Sequence, residues 1–187
     1  MGGKQSLTAL MLCTIAVFFF VFLHHHAQKK LTPQPPIAEV IGMPEKINIP
    51  AINVNAMIED VAIASDGSMD IPKVAMNAAW YKLGPKPGEI GSAVIDGHVD
   101  WINGATAVFA DLNKLKIGDI VSIKDDRGKT ITFLVRSTKL YEPTADDKDI
   151  FTSYDNKAHL NIITCSGVWD KTTLGFSQRL VVFTERQ

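Results

Sequence analysis

At 187 residues the chain has room for one domain and an appendage, and its core needs no disulfide or metal staples. Its 19 basic and 20 acidic residues give a net charge of −1, which excludes nucleic-acid binding through a concentrated basic face. Three of the basic residues and none of the acidic ones lie in the first thirty positions, leaving 16 against 20 in a mildly acidic remainder.

Residues 1–6 form a short tail. Leu7 to Leu23 then runs for 17 residues without a charge, the lower limit for a spanning helix and longer than most signal-peptide cores. His24-His25-His26-Ala27-Gln28 lacks the small-x-small pattern of a cleavage site, and Leu12 is too bulky to precede a lipid-modified Cys13. An uncleaved transmembrane anchor over 7–23 is therefore expected, contacting membrane lipid. Lys4 on one side and Lys29 and Lys30 on the other nearly tie the positive-inside count. Residues 24–42 read as a tether, because Pro33, Pro35 and Pro36 favour extended backbone and no apolar period crosses the segment. The three adjacent histidines on that stem read as polar interface residues rather than a metal site.

From residue 43 to 187 the pattern is one of short strands and turns. Lys46–Ile49 and Ile52–Ile58 alternate around Pro50. Asp66-Gly67 is a turn signal, and a helical turn is predicted near Met76–Trp80. Ile90–Ile95 reads as a buried strand, and Ala105–Leu115 as a short helix with Val108, Phe109 and Leu112 on one face. Ile120–Lys124 and Thr130–Val135 form a hairpin about Asp125–Gly128, with strand character continuing to Leu140 and Tyr141. An acidic loop spans Pro143–Ser153, and closing strands at about 159–165 and 178–184 flank a long loop. Many short strands and little helix predict an all-β barrel or sandwich with short helices in its loops.

Cys165 is the only cysteine outside the apolar run, and Cys13 lies within that run, so the two cannot pair. A thiol catalyses acyl chemistry only with a polar partner in reach, since the thiolate is the nucleophile. Beyond the stem there are two histidines. His159 lies six residues before Cys165 in one strand, about 20 Å away at strand rise, and reads as a surface residue. His98 follows a strand after Gly97 and reads either as an acid–base partner or as a structural donor. Asp100, two residues on, reads either as an orienting acid or as a solvated one. Arg179 opens the last strand. If that strand pairs antiparallel with the Cys165 strand, a fixed guanidinium stands beside the thiol, where it can hold a carbonyl and an oxyanion. Its plain alternative is a surface ion pair.

Together these segments resemble the sortases, cysteine transpeptidases of bacterial surfaces, over about residues 43–186. The family's Thr-Leu-x-Thr-Cys segment stands here as Asn161-Ile162-Ile163-Thr164-Cys165, departing at Asn161 and Ile162. Gly97-His98 matches the family's histidine segment, and Val99-Asp100-Trp101 is similar to class F and E-type members. Arg179-Leu180-Val181-Val182-Phe183 matches the closing strand, and Phe109-Ala110-Asp111-Leu112 followed by Gly118-Asp119 also fits.

The resemblance implies a closed eight-stranded β-barrel with His98, Cys165 and Arg179 as catalytic residues. Asp100 and Thr164 are candidates for orienting or touching substrate. It implies that Cys165 attacks a Leu-Pro-x-Thr-Gly-like sorting signal of surface proteins through a thioacyl intermediate. The acceptor would be an amine of cell-wall peptide or of a pilin, with the catalytic domain outside a single-pass plasma-membrane anchor. No cofactor or metal is expected. Asp146, Asp147 and Asp149 crowd one loop, and they read as solvated acids rather than a calcium site. A hydrolytic cysteine peptidase and a catalytically silent tethered binding module are the rival readings. An L,D-transpeptidase is disfavoured, because Cys165 is followed by Ser166-Gly167 and its Ser-x-Gly-Cys-Arg pattern is absent.

Overall fold

In a computed structural model, residues 39–187 are described. The anchor expected at 7–23 and nearly all of the tether lie outside them. Among the described residues no helix is long and apolar enough to cross a membrane.

The strands are β1 (Pro44–Ile49), β2 (Val54–Val61), β3 (Ala78–Tyr81), β4 (Gly91–Gly97), β5 (Asp100–Trp101), β6 (Ala105–Thr106), β7 (Ile120–Asp125), β8 (Thr130–Tyr141), β9 (Ala158–Asp170) and β10 (Gly175–Arg186). One short helix, α1, spans Lys148–Phe151. Eight of the strands close a barrel in the order β1-β2-β3-β4-β9-β10-β8-β7, with β1 pairing back onto β7. β5 and β6 form a separate small ribbon. The closed eight-stranded barrel implied by the family resemblance is thus present.

Alternation along the strands sorts the apolar residues into two cores. Ile47, Ile95, Ile123, Phe133, Leu160 and Ile162 fill the barrel. Val94, Ile163 and Val181, one residue out of phase, point outward and pack with Tyr141 and Ile150 in a second cluster. That outer cluster underlies the cleft described below.

Three local expectations are corrected. Met76–Trp80 is not a helical turn, because Ala78–Tyr81 pairs parallel with Ile58–Val61 and Trp80 is buried. Ala105–Leu115 does not form one helix. Its backbone bonds across the chain, Val108 N–H to Ala75 O and Phe109 N–H to His98 O, and only a 3-10 turn over Leu112–Lys114 remains. The long loop after Cys165 is instead a hairpin in which β9 runs on to Asp170 and β10 begins at Gly175. Trp169 and Phe176 stack edge-on across it at 5.3 Å. Cross-strand aromatic packing supplies the continuation that the Ser-Gly and Thr-Thr residues hid. The packed domain also begins before residue 43: Ile41 is buried in the barrel core, and Gly42 N–H donates to Asp125 Oδ2 at 3.0 Å.

Candidate active site

Three neighbouring strands position the candidate residues. β4 and β9 run parallel with Asp96 opposite Ile163, two residues before Cys165, and His98 follows directly on the end of β4 at Gly97. On the other flank Arg179 is the direct antiparallel partner of Cys165. Strands lie about 4.8 Å apart, and directly opposed residues share a face. Cys165 and Arg179 accordingly line one cleft of about 320 Å³, together with Asp96, Ile163, Ile71 and Tyr141. Both sit within long strands rather than at the strand ends predicted for them.

Each side chain is held by identifiable neighbours. Thr164 points the opposite way from Cys165, is buried, and donates Oγ1–H to Gly97 O at 2.7 Å. That bond ties the residue before the cysteine to the residue before the histidine. Phe109 N–H donates to His98 O at 2.9 Å, and the Phe109 ring lies against Gly97. A Cβ at position 97 would overlap that ring and come within 2.6 Å of Val108 Cγ1, so only glycine fits before the histidine. His98 Nε2 lies 2.8 Å from Pro72 O, and a carbonyl only accepts, so Nε2 is the donor in this bond. Trp101 packs edge-on against the imidazole at 4.8 Å. The Arg179 guanidinium donates through Nη1 to Gln178 O at 3.2 Å and Phe176 O at 3.4 Å.

The site's charges oppose one another. Burial pushes the Cys165 thiol up from its usual range, the Arg179 cation pulls it back, and the carboxylates of Asp96 and Asp100 push it up further. Burial also lifts Asp96 to about 6, against the pull of His98 and Arg179. Near neutrality the thiol form therefore predominates, and the thiolate is the minor, reactive species.

Two of the secondary candidates stand differently from expectation. Asp100 is exposed in β5 opposite Thr106, and the imidazole's hydrogen bond goes to Pro72 instead. Asp100 reaches the site only through its charge. Thr164 faces away from the cleft and positions backbone rather than touching substrate. His159, set aside from the sequence, bonds Asp155 at 3.0 Å as a strand-end residue. In the acidic loop, Asp149 accepts from Lys139 and Tyr141, and Asp146 from Lys148.

Sequence reasoning missed Asp96, Pro72, Trp101 and the role of Asn161. The Asn161 side chain is buried and its Nδ2 donates to Ile150 O, pinning α1 and the cleft wall to β9 at 2.6 Å. The signal for Asp96 was present: one carboxylate in the apolar run Ala93–Gly97. Pro72 is brought in by long-range packing and had none.

The barrel is shared with solved structures. Sortase A from Corynebacterium diphtheriae, a lid mutant, aligns at TM-score 0.61 with 23% identity over 81% of this chain and 74% of that one. Group B Streptococcus Pilus Island 1 Sortase C2 aligns at 0.60 with 25% identity over 80% and 76%. Listeria monocytogenes sortase A aligns at 0.59 with 18% identity over 79% and 88%. No curated protein matches the chain. The sortase domain model matches residues 47–187, and the chain belongs to the sortase family. It is accordingly a cysteine transpeptidase.

Proposed function

We propose that this chain is a membrane-anchored extracellular transpeptidase that cleaves an LPxTG-like C-terminal sorting signal and passes the acyl group to an amine. In this reading Cys165 Sγ attacks the scissile carbonyl carbon as thiolate. The tetrahedral oxyanion forms beside the Arg179 guanidinium, which must leave the Phe176 or Gln178 carbonyl to meet it. Collapse breaks the C–N bond, and protonated His98 gives its proton to the departing amine. The thioester left on Cys165 is then attacked by an acceptor amine that loses its proton to His98, and the thiolate departs. The acceptor is cell-wall peptide or a pilin, the latter favoured by likeness to a sortase of a pilus island. Val99-Asp100-Trp101 supports a class F or E-type placement. The apolar run at 7–23 supports single-pass anchoring in the plasma membrane with the barrel outside.

The observation that supports this reading is Arg179 as the direct strand partner of Cys165, with His98 following the end of β4 that Thr164 bonds through Gly97 O. Incubation with a sorting-signal peptide, with and without triglycine, tests it. The expected product in the presence of triglycine is the ligated peptide, absent with Cys165→Ala. Hydrolysis that triglycine leaves unchanged would count for a peptidase instead.

A further inference from the structure

The reaction just described gives no task to Asp96, the cleft carboxylate on the strand that leads to His98. Asp96 is flanked across the sheet by Ala79 on β3 and Ile163 on β9, both apolar. Ile71, Met69, Phe151 and Ile150 complete its surroundings along the cleft. Its carboxylate accepts from the Gly97 N–H, and among the described residues no side chain donates to it. Arg179, the one cation among the described residues lining the cleft, is engaged with two backbone carbonyls. The other acids there, Glu142 and Asp147, face the same space, and Glu142 already accepts from Gln178 Nε2 at 2.9 Å. The cleft is therefore apolar in surface, acidic in charge, and short of a counter-ion.

Filling such a cleft with peptide strips water from the half-buried Asp96. An ionised carboxylate desolvated without a partner is strongly disfavoured, whereas one that meets a cation and a hydrogen-bond donor is not. Asp96 stands opposite Ile163, two residues from Cys165, or about 7 Å along the strand. An extended peptide covers that distance in about two residues, and a long side chain adds about one more.

We propose that Asp96 is a specificity residue that selects a sorting signal bearing a lysine or arginine within about three residues of the bond cleaved. The proposal rests on Cys165 acting as the acylated nucleophile. A neutral or acidic side chain at that position leaves the Asp96 carboxylate unpaired beneath the bound peptide. A basic one satisfies it and leaves Arg179 for the oxyanion.

A peptide library randomised at three residues on either side of the bond, with norleucine as an apolar match for lysine, provides the test. Products are read by mass spectrometry. Lysine or arginine should be enriched about tenfold or more over norleucine at one position at pH 7.5, an effect of about 1.4 kcal/mol. That ratio should fall toward one in Asp96→Ala and in the size-matched Asp96→Asn. It should also fall for the unaltered enzyme below pH 5, where Asp96 is protonated. Cys165, Arg179, Tyr141, Glu142 and Asp147 line the same cleft, and His98 acts on Asp96 through its charge. Glu142 and Asp147 also attract a basic side chain, so the Asp96 variants compared at one pH isolate the charge on Asp96. A basic preference that survives unchanged in Asp96→Ala overturns the proposal, as does enrichment of norleucine at all six positions. Cleavage that persists in Cys165→Ala, or no cleavage by the unaltered enzyme, would sink the underlying reading and the proposal with it.

Discussion

Replacing Thr164 by valine removes one hydroxyl at nearly constant shape and tests how the site residues are held. The Oγ1–H to Gly97 O bond is 2.7 Å long, buried, and links β9 to the end of β4 immediately before His98. Its loss leaves the Gly97 carbonyl without that donor, a cost of about 1–3 kcal/mol for a buried partner. For a domain of this size that lowers Tm by about 2–12 °C. The functional effect follows from position: if β4 relaxes away from β9, His98 drifts from Cys165, and misplacement by 1 Å costs about 100-fold in rate. We expect kcat to fall by tenfold or more with KM little changed, and Thr164→Ser to restore much of both losses. Thermal unfolding combined with steady-state cleavage of a sorting-signal peptide separates the two effects. A valine variant with unaltered Tm and unaltered kcat would refute the idea that this bond sets the histidine–cysteine register.

Further outcomes follow from the same geometry. Asp96 carries a folded-state pKa of about 6 against an ordinary 3.8, so the folded chain binds more protons between those values and stability falls as pH rises through them. The full shift is worth about 3 kcal/mol and partial exposure reduces it to about 1–2 kcal/mol, so Asp96→Asn should stabilise the protein at pH 7.5 and not at pH 3.5, read by urea unfolding. The Cys165 thiol, raised by burial and held back by Arg179, should alkylate with a pH midpoint that climbs in Arg179→Gln and drops in Asp100→Asn. Movement in the opposite direction in either variant would contradict the assigned charges. Gly97→Ala forces a methyl into Phe109 and Val108 and should destabilise by about 1–3 kcal/mol, measured by denaturant unfolding. Asn161→Ala releases α1 from β9 and should speed proteolytic nicking between 142 and 157.

Strand periodicity carried most of the barrel. Ile120–Lys124 and Thr130–Tyr141 were legible because alternation and the Asp-Arg-Gly turn agree with the pairing they adopt. Ala78–Tyr81 was not, since its strand character comes from a parallel partner some twenty residues earlier in the chain. The extension of the Cys165 strand past Gly167 was hidden for a related reason: that glycine holds a φ of 82° within the hairpin, a local turn signal that long-range pairing overrides. Within the site, Cys165 stood out as the only cysteine beyond the apolar run, whereas Arg179, one of three strand-borne arginines, stood out through the antiparallel pairing expected of its strand and the family resemblance. Asp100 stayed open between an orienting and a solvated acid because sequence proximity to His98 does not fix side-chain direction; it is exposed, and the imidazole bonds Pro72, 26 positions away. Asn161, read from the sequence only as a departure in the cysteine segment, turns out to anchor the cleft wall through Ile150 O.

The role of Cys165 is tested most directly by intact-mass spectrometry of the protein mixed with a sorting-signal peptide, followed by peptide mapping. A mass increase equal to the acyl fragment, located on Cys165 and discharged by triglycine as the ligated product, is the predicted result. An adduct that persists in Cys165→Ala, or peptide turnover with no acyl group ever carried on Cys165, would contradict it.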